Sequence, residues 1–153
     1  PSVRRDVAEM RVRVQAARPG LGAWDAKNGP GRIMDIELAA QTVALLSGSP
    51  ARGVERQIAA GTGRILPDSD AQALLSAYRL LWQLHAAARL LSERSMDWDD
   101  LGEGGRAFIL RATGAADAVA LAADLARAIA GAGAAVARLV ETGTIGESGN
   151  GPG

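Results

Sequence analysis

One short stretch of the chain collects residue types that bind anions. It reads Trp-Asp-Ala-Lys-Asn-Gly-Pro-Gly-Arg-Ile-Met-Asp-Ile-Glu over residues 24–37. The cations Lys27 and Arg32, together with free N–H groups at the start of a helix, would stabilise a phosphate. Gly29 and Gly31 would let the backbone turn between them. A glycine-rich turn before a helix is also ordinary turn chemistry, so residue types alone leave both interpretations open.

Asp35 and Glu37 are a second candidate, because paired carboxylates can hold Mg²⁺. Neighbours two apart on a helix project about 200° away from each other, so both could bind one ion only in an extended segment. On a helix, Asp35 would interact favourably with the helix dipole and Glu37 would pair with a base. We therefore assign no metal site to these residues.

The other chemically active residue types favour structural roles. His85, the single histidine, lies on an apolar helix stripe, which predicts a core histidine with one hydrogen bond. The acidic residues within 97–100 lack the spacing of a calcium-binding loop. Trp24 and Trp98 are expected to anchor loops rather than to stack on a base. The sequence has no Gly-x-Ser-x-Gly elbow, Walker loop or HExxH motif, so no complete active site is predicted.

Composition favours an all-α protein and disfavours several classes. Apolar residues make up 48% of the chain, mostly as Ala, Leu and Val, while aromatics are only 3%; Ala and Leu favour helices over sheets. Seventeen basic residues balance seventeen acidic ones, and cysteine is absent. These features argue against nucleic-acid binding, disulfides and Cys- or His-rich metal sites. Without a signal-peptide pattern or a run of eighteen apolar residues, we expect a soluble cytoplasmic protein that binds no membrane.

Helical periodicity recurs along the chain and predicts a bundle of five or six helices with one Gly-rich loop. Pro50 is expected to begin the third helix, and Asp68 or Ser69 is expected to cap the fourth. The predicted helices cover residues 3–17, 33–46, 50–60, 67–93, 105–112 and 115–141.

The first and last helices carry expectations about their buried faces. In the first, Met10 and Val14 are expected to point inward and the arginines, including Arg11, to face solvent. In the last, Gly131 and Gly133 would cost about 1 kcal/mol each relative to Ala unless a neighbour packs closely there. The residues expected to be buried in that helix are Val119, Ala122, Ile129, Val136 and Val140.

The two ends of the chain suggest its organisation. It begins with Pro rather than Met and opens directly into a helical pattern, which we interpret as a segment cut from a longer protein. Residues 143–153 contain five Gly and no large apolar residue except Ile145, which predicts a flexible C-terminal tail. Residues 1–142 are expected to form one helical domain.

The glycine-rich loop resembles a motif of bifunctional glutamine synthetase adenylyltransferase/adenylyl-removing enzymes. The family pattern is approximately Asp-x-Lys, then Gly-Gly, then Asp/Glu-Ile-Glu-Phe and a Gln. Arg32 departs from it by replacing the second Gly, and Leu38 replaces the Phe. The resemblance extends more loosely over residues 3–140, and the residues that carry it are Asp25, Lys27, Gly29 to Glu37 and Gln41.

The resemblance implies the helical domain that follows the C-terminal, adenylylating nucleotidyltransferase domain of such an enzyme. These enzymes move AMP from ATP to a tyrosine of glutamine synthetase and remove it again, which controls nitrogen assimilation. The implied partners are glutamine synthetase, a PII-type signalling protein and the upstream nucleotidyltransferase domain. That domain would hold ATP and Mg²⁺ on a Gly-Ser motif and paired aspartates. This chain has no such motif, so it is expected to be inactive alone.

The resemblance also gives roles to the loop residues. Lys27 and Arg32 would face the catalytic cleft, while Asp35 and Glu37 would orient those cations or tie the loop to the bundle. A non-catalytic docking module for glutamine synthetase or PII is one alternative, and a helical scaffold with an accidental resemblance is another. The residues expected to position nucleotide or substrate are Lys27, Gly29, Gly31, Arg32, Asp35 and Glu37.

Overall fold

The computed structural model describes residues 2–141, which fold into six α-helices and a 3₁₀ turn at Trp98–Asp100, with no strand. The all-α prediction is therefore confirmed. The tail predicted at 143–153 lies outside the described residues. The helices are α1 Ser2–Ala17, α2 Ile33–Ser47, α3 Val54–Gly61, α4 Asp68–Leu91, α5 Glu103–Thr113 and α6 Ala118–Glu141.

Two helix starts differ from the prediction. α3 begins after Gly53, whose φ of 87° ends the preceding loop, so Pro50 does not start the helix. α4 begins directly after Pro67, and neither Asp68 nor Ser69 caps it through a side chain. Pro67 already holds φ at −57°, which prepares the helical turn. Asp68 lies inside the first turn, where its charge still interacts favourably with the helix dipole.

α4 and α6 form the centre of the bundle. The remaining helices pack around this pair: α2 and α3 contact each other, α5 packs on α4, and α1 lies across α2 and α6. A core of aliphatic side chains lies between the helices, and burial of these side chains, at about 1.5–3 kcal/mol each, is the main force that holds the helices together. The central members of this core are Ile36, Leu74, Leu81, Leu121, Leu125 and Val136.

The buried face of α6 differs from the prediction. Val119 is 80% exposed, and Ala122 also faces solvent, whereas Leu121 and Leu125 are buried. Val136 is buried as predicted, and Ile129 and Val140 are partly buried. On a helix this rich in Ala, the large leucine side chains decide which face packs inward, because they remove the most apolar area from water.

α1 is held less deeply than its pattern predicted. No side chain of residues 3–17 is buried, and Met10 and Val14 are exposed. Two of its arginines point inward instead of into solvent. Arg4 Nη1 donates a hydrogen bond to the Leu139 carbonyl oxygen at 2.6 Å, and Arg11 binds a carboxylate of α2. Charged contacts therefore help to attach this helix to the bundle.

α6 is long and apolar enough to cross a membrane, with an 18-residue window of mean hydropathy 1.5. Its leucines are buried against the other helices. Only 28% of that window is buried in the bundle, so packing accounts for the leucine face of the helix and not for the whole of its hydropathy.

Candidate functional site

Asp25 organises the glycine-rich loop. Its carboxylate accepts hydrogen bonds from three backbone N–H groups, those of Leu21 at 3.0 Å, Lys27 at 2.9 Å and Asn28 at 3.1 Å. Burial raises the pKa of Asp25, but the hydrogen bonds outweigh it, so the pKa lies below its ordinary value. The short side chain of an aspartate can accept hydrogen bonds from the backbone N–H groups two and three residues further along, and this fixes a turn. Such a turn sets the course of the loop after Asp25.

The start of α2 is already occupied by the loop itself. The Ile33 N–H donates to the Ala26 carbonyl at 3.0 Å, and the Met34 N–H donates to the Lys27 carbonyl at 3.1 Å. These are the N–H groups that a bound phosphate would need. The loop is therefore closed onto the helix in the manner of ordinary turn chemistry.

Asp35 ties the loop to two helices. This buried carboxylate accepts from Arg11 Nε at 2.8 Å and Arg11 Nη2 at 3.0 Å, and from the Gly31 N–H at 2.8 Å. A bidentate guanidinium pair fixes geometry as well as charge. Of the two roles expected for Asp35, the structure shows the tie to the bundle, because its cation is Arg11 rather than Lys27 or Arg32.

Gly31 is the point where the loop backbone touches α6. Its φ is 73°, and a Cβ there would lie 2.1 Å from the Ile129 carbonyl oxygen and 2.7 Å from the Gly133 N. Only glycine fits such an approach at this φ. The loop at Pro30 and Gly31 is also the neighbour that packs against Gly133 in the middle of α6. Close backbone approach is thus made at Gly31, and Arg32 does not prevent it.

Arg32 folds back onto its own loop. Its Nη1 donates to the Asn28 carbonyl at 3.0 Å, and its buried Nε has no hydrogen-bond partner in the described part of the chain. A Cβ on Gly20 would lie 2.5 Å from Nη1, so the guanidinium fills the space beside that glycine. The Arg32 guanidinium therefore contacts its own loop, whereas the Lys27 side chain is exposed; the place of both at a catalytic cleft, which the resemblance implies, stays a prediction.

Lys27 instead lines a cavity of about 650 Å³ between the loop, α4 and the segment that follows α4. We call it the cationic pocket. The pKa of His85 there is lowered, first by burial and then by the charges of Lys27 and Arg89. His85 is half-buried and meets the Trp82 ring edge-on at 5.4 Å, rather than lying in the core. The charged and titratable residues that line the cationic pocket are Asp25, Lys27, His85, Arg89, Glu93, Arg94 and Asp97.

Gly29 and Glu37 lie elsewhere, in a groove of about 230 Å³ between α1 and α2 that we call the α1–α2 groove. Its apolar lining includes Met10, Val14 and Leu38. Glu37 forms no ion pair within residues 2–141, so the base expected to pair with it is not found there. The same residues contain no group of side chains that could hold a metal ion.

The two loop tryptophans act as anchors, as predicted. Trp24 stacks on Trp98 with 4.9 Å between ring centroids and 17° between planes. The Arg106 guanidinium lies 5.8 Å from the centre of the Trp98 ring. Asp97 accepts the Asp99 N–H at 3.1 Å and so begins the 3₁₀ turn. The acidic turn is therefore structural, and it fastens the loop to the start of α5.

Arg11 is the residue that sequence reasoning missed. It lies four residues after Val7 and three before Val14, which places it on the apolar stripe of α1. A charge on that stripe predicts a buried partner, so the signal was present. Arg89 and Arg94 were also missed. No local sequence pattern indicates them, because only the fold places them in the same cavity as Lys27.

Comparisons with known proteins place the chain in a family. The family model described as GlnD PII-uridylyltransferase matches residues 2–142. Three relatives are named bifunctional glutamine synthetase adenylyltransferase/adenylyl-removing enzyme. The one from Caulobacter vibrioides is 34% identical over 89% of this chain, and those from Rhizobium meliloti and Mesorhizobium japonicum are 32% identical over 82% and 80%.

This chain spans only 14%, 13% and 13% of the lengths of those three relatives. What their names state therefore belongs to much longer proteins. No solved structure matches the chain.

Proposed function

Because this chain belongs to the family described as GlnD PII-uridylyltransferase and is similar over most of its length to glutamine synthetase adenylyltransferases, we propose that it is a helical domain of such an enzyme. The complete protein would move AMP from ATP to a tyrosine of glutamine synthetase, and remove it. An upstream nucleotidyltransferase domain would hold ATP and Mg²⁺. A cytoplasmic location and regulation by a PII-type protein belong to the same proposal.

The construction of the glycine-rich loop is the observation that carries a role for this domain near the chemistry. Asp25 fixes the loop from within, and Asp35 fixes it to α1. Gly31 presses it against α6. The loop is thereby held rigid, while the Lys27 side chain is exposed and forms no ion pair in the described part of the chain. The fixed backbone limits where the Lys27 ammonium group can reach, which is a first requirement for a cation that acts on a transferred phosphate.

Lys27 would act on the phosphate charge during AMP transfer. In-line attack on the α-phosphate releases pyrophosphate, so negative charge on the phosphate oxygens must be stabilised. An ammonium group held at the edge of the cleft supplies part of that stabilisation. Asp35, Gly31 and Arg32 would be positioning residues, because they hold the loop rather than touch the substrate. Gly29 and Glu37 would shape the loop edge along the α1–α2 groove.

The test is AMP incorporation into glutamine synthetase by the complete enzyme, followed by mass spectrometry. Lys27→Ala should lower kcat about tenfold or more. The control is Arg111→Ala, which removes an exposed cation that forms no ion pair among residues 2–141. Unchanged AMP transfer by Lys27→Ala would mean that the loop does not face the chemistry.

Docking is a second candidate function, favoured by an exposed aromatic cluster on α4. Trp82 is 40% exposed and meets the Tyr78 ring edge-on at 6.2 Å. Tryptophan is enriched at protein interfaces. If this surface binds glutamine synthetase or a PII protein, Trp82→Ala should raise the KM for the protein substrate and leave kcat unchanged. Arg79→Ala on the same helix should act in the same direction.

A further inference from the structure

The cationic pocket gathers positive side chains from three separate segments. Lys27 comes from the loop, Arg89 from the last turn of α4, and Arg94 from the segment after that helix. His85 lines the same cavity one turn before Arg89. Lys27 is far from the two arginines in sequence and joins them only through the fold, in a cavity of about 650 Å³. That volume lies within the range of small-molecule sites.

The cations in this pocket are not neutralised by ion pairs. Neither Lys27, Arg89 nor Arg94 forms one within residues 2–141, and Arg89 makes only a 3.4 Å bond to the Glu93 carbonyl oxygen. Elsewhere in the described chain, arginines such as Arg11 do have carboxylate partners. The three cationic groups of the pocket are therefore available to a ligand.

The pocket also contains acids, which equal its Lys and Arg residues in number. Three carboxylates line it with the cations, so the formal charges balance. Asp25 accepts three backbone N–H groups and Asp97 accepts one, which occupies acceptor positions of both carboxylates but leaves their charge in place. Beyond the effect of burial, Lys27 and Arg89 act on the pKa of His85 more strongly than Asp25 does.

We propose that the cationic pocket binds a phosphate-bearing small molecule of nucleotide size. Guanidinium and ammonium groups on separate walls suit an anion with several oxygens, which a single carboxylate does not provide. Leu84, Ala88 and Met96 line the same cavity and can pack against an organic part of the ligand. The phosphate identity rests on the proposed function, whereas the anionic character of the ligand rests on the pocket alone.

His85 makes the binding measurable, because it is the only histidine of the chain. Its imidazole resonances can be followed by NMR in the 153-residue chain as the pH is varied. Inorganic pyrophosphate and ATP are the two probes, and citrate at matched ionic strength is the carboxylate control. The charged groups that act on His85 are Lys27, Arg89 and Asp25, and Glu93, Arg94 and Asp97 line the same pocket.

A bound phosphate should raise the pKa of His85 towards its ordinary value, because it offsets the cations nearby. Both probes should shift the resonance saturably, and Arg89→Gln and Arg94→Gln should each weaken binding about tenfold. Arg111→Gln on α5 should leave binding unchanged. Tighter binding of ATP identifies a nucleotide ligand, and equal binding identifies the phosphate group alone; both support the proposal.

Two results would overturn the proposal: no saturable shift with either probe, or an equal shift with citrate. The complete enzyme separates this failure from failure of the proposed function. If Lys27→Ala lowers AMP transfer while the chain binds neither probe, the proposed function stands and the phosphate pocket does not. If the chain binds phosphate through Arg89 and Arg94 but Lys27→Ala leaves AMP transfer unchanged, the reverse holds.

Discussion

At the scale of single residues, Asp35 shows how a motif position can serve structure. Its carboxylate is 5% exposed and receives three hydrogen bonds from two segments. Arg11, its partner, is 16% exposed. Neither group can regain full hydration while the fold is intact, so the loss of one leaves the other uncompensated.

Asp35→Asn should therefore lower the free energy of unfolding by about 3 kcal/mol, because it leaves Arg11 partly buried without a counter-charge. Urea denaturation followed by circular dichroism measures this. Asp124→Asn is the matched control, since Asp124 pairs with Arg127 at a largely exposed site and should cost less than about 1 kcal/mol. Equal losses would show that the Asp35 pair contributes no more than a surface pair.

His85 should make the stability of the fold depend on pH. Its pKa in the folded state is lowered from 6.5, first by burial and then by Lys27 and Arg89. The unfolded chain therefore takes up a proton first as the pH falls below about 6.5, and unfolding becomes easier. The free energy of unfolding keeps falling until the pH is below the pKa of His85 in the folded state. Above about pH 6.5, His85 is neutral in both states and has no such effect.

His85→Gln should remove this part of the acid sensitivity, and Lys27→Gln should reduce it, because Lys27 is one cause of the shift. The free energy of unfolding would be compared at about pH 5 and about pH 7.5. A His85→Gln chain whose stability falls as steeply as the parent's between these values would contradict the assigned pKa direction.

At the scale of elements, the contact between the loop and α6 depends on one glycine. Gly31→Ala combines a positive φ of 73° with a collision against the Ile129 carbonyl. Gly48→Ala isolates the first effect, since its φ is 67° and nothing lies within 4 Å of the added Cβ. We expect about 1 kcal/mol of destabilisation at Gly48 and about 3 kcal/mol more at Gly31. Equal melting temperatures of the two variants would mean that the loop can move away from α6.

Two substitutions on α6 can test which face of this helix is buried. Leu125→Ala should cost about 2–5 kcal/mol, because Leu125 is buried. Val119→Ala should change stability by less than about 0.5 kcal/mol, because Val119 is 80% exposed. Chemical denaturation distinguishes them. The sequence-based assignment of Val119 to the core would be restored if this order were reversed.

The sequence predicted the helices well because apolar spacing and glycine or proline breaks are local signals. It predicted the buried face of a helix poorly where two apolar stripes run along the same helix, as on α6. It also failed where a charged residue lies on the apolar stripe, as Arg11 does on α1. In the candidate site, it identified Lys27 and Asp35 but not their surroundings. The hydrogen-bond partners of Asp35 lie on α1 and in the loop, and the residues that line the pocket with Lys27 include several on and after α4, so only tertiary packing brings these groups together.

At the scale of the whole molecule, stability should be uneven. α4 and α6 contain fully buried leucines, whereas no side chain of residues 3–17 is buried. Regions with few buried contacts open locally at a lower free energy than the core. α1 should therefore detach before the rest of the bundle unfolds, limited mainly by its two arginine contacts.

Hydrogen exchange followed by mass spectrometry should show faster exchange in α1 than in α4 or α6. Asp35→Asn should accelerate exchange in α1 and in the glycine-rich loop and change exchange in α4 less. The Asp35 carboxylate joins α1 and the loop to α2, and within residues 2–141 it makes no hydrogen bond to α4. Protection of α1 equal to that of α4 would indicate that the bundle opens as a single cooperative unit.

The hydrogen bond from Arg4 to the Leu139 carbonyl spans 135 positions and brings the two ends of the described chain side by side. A polypeptide with neighbouring ends can be spliced into another protein while disturbing the host at only one place. It can also be reconnected, with a short glycine linker joining Ser2 to Glu141 and new termini opened in the loop between α2 and α3. Such a circular permutant should keep the helical content of the parent. The fold is therefore suited to being moved between multidomain proteins as a modular unit.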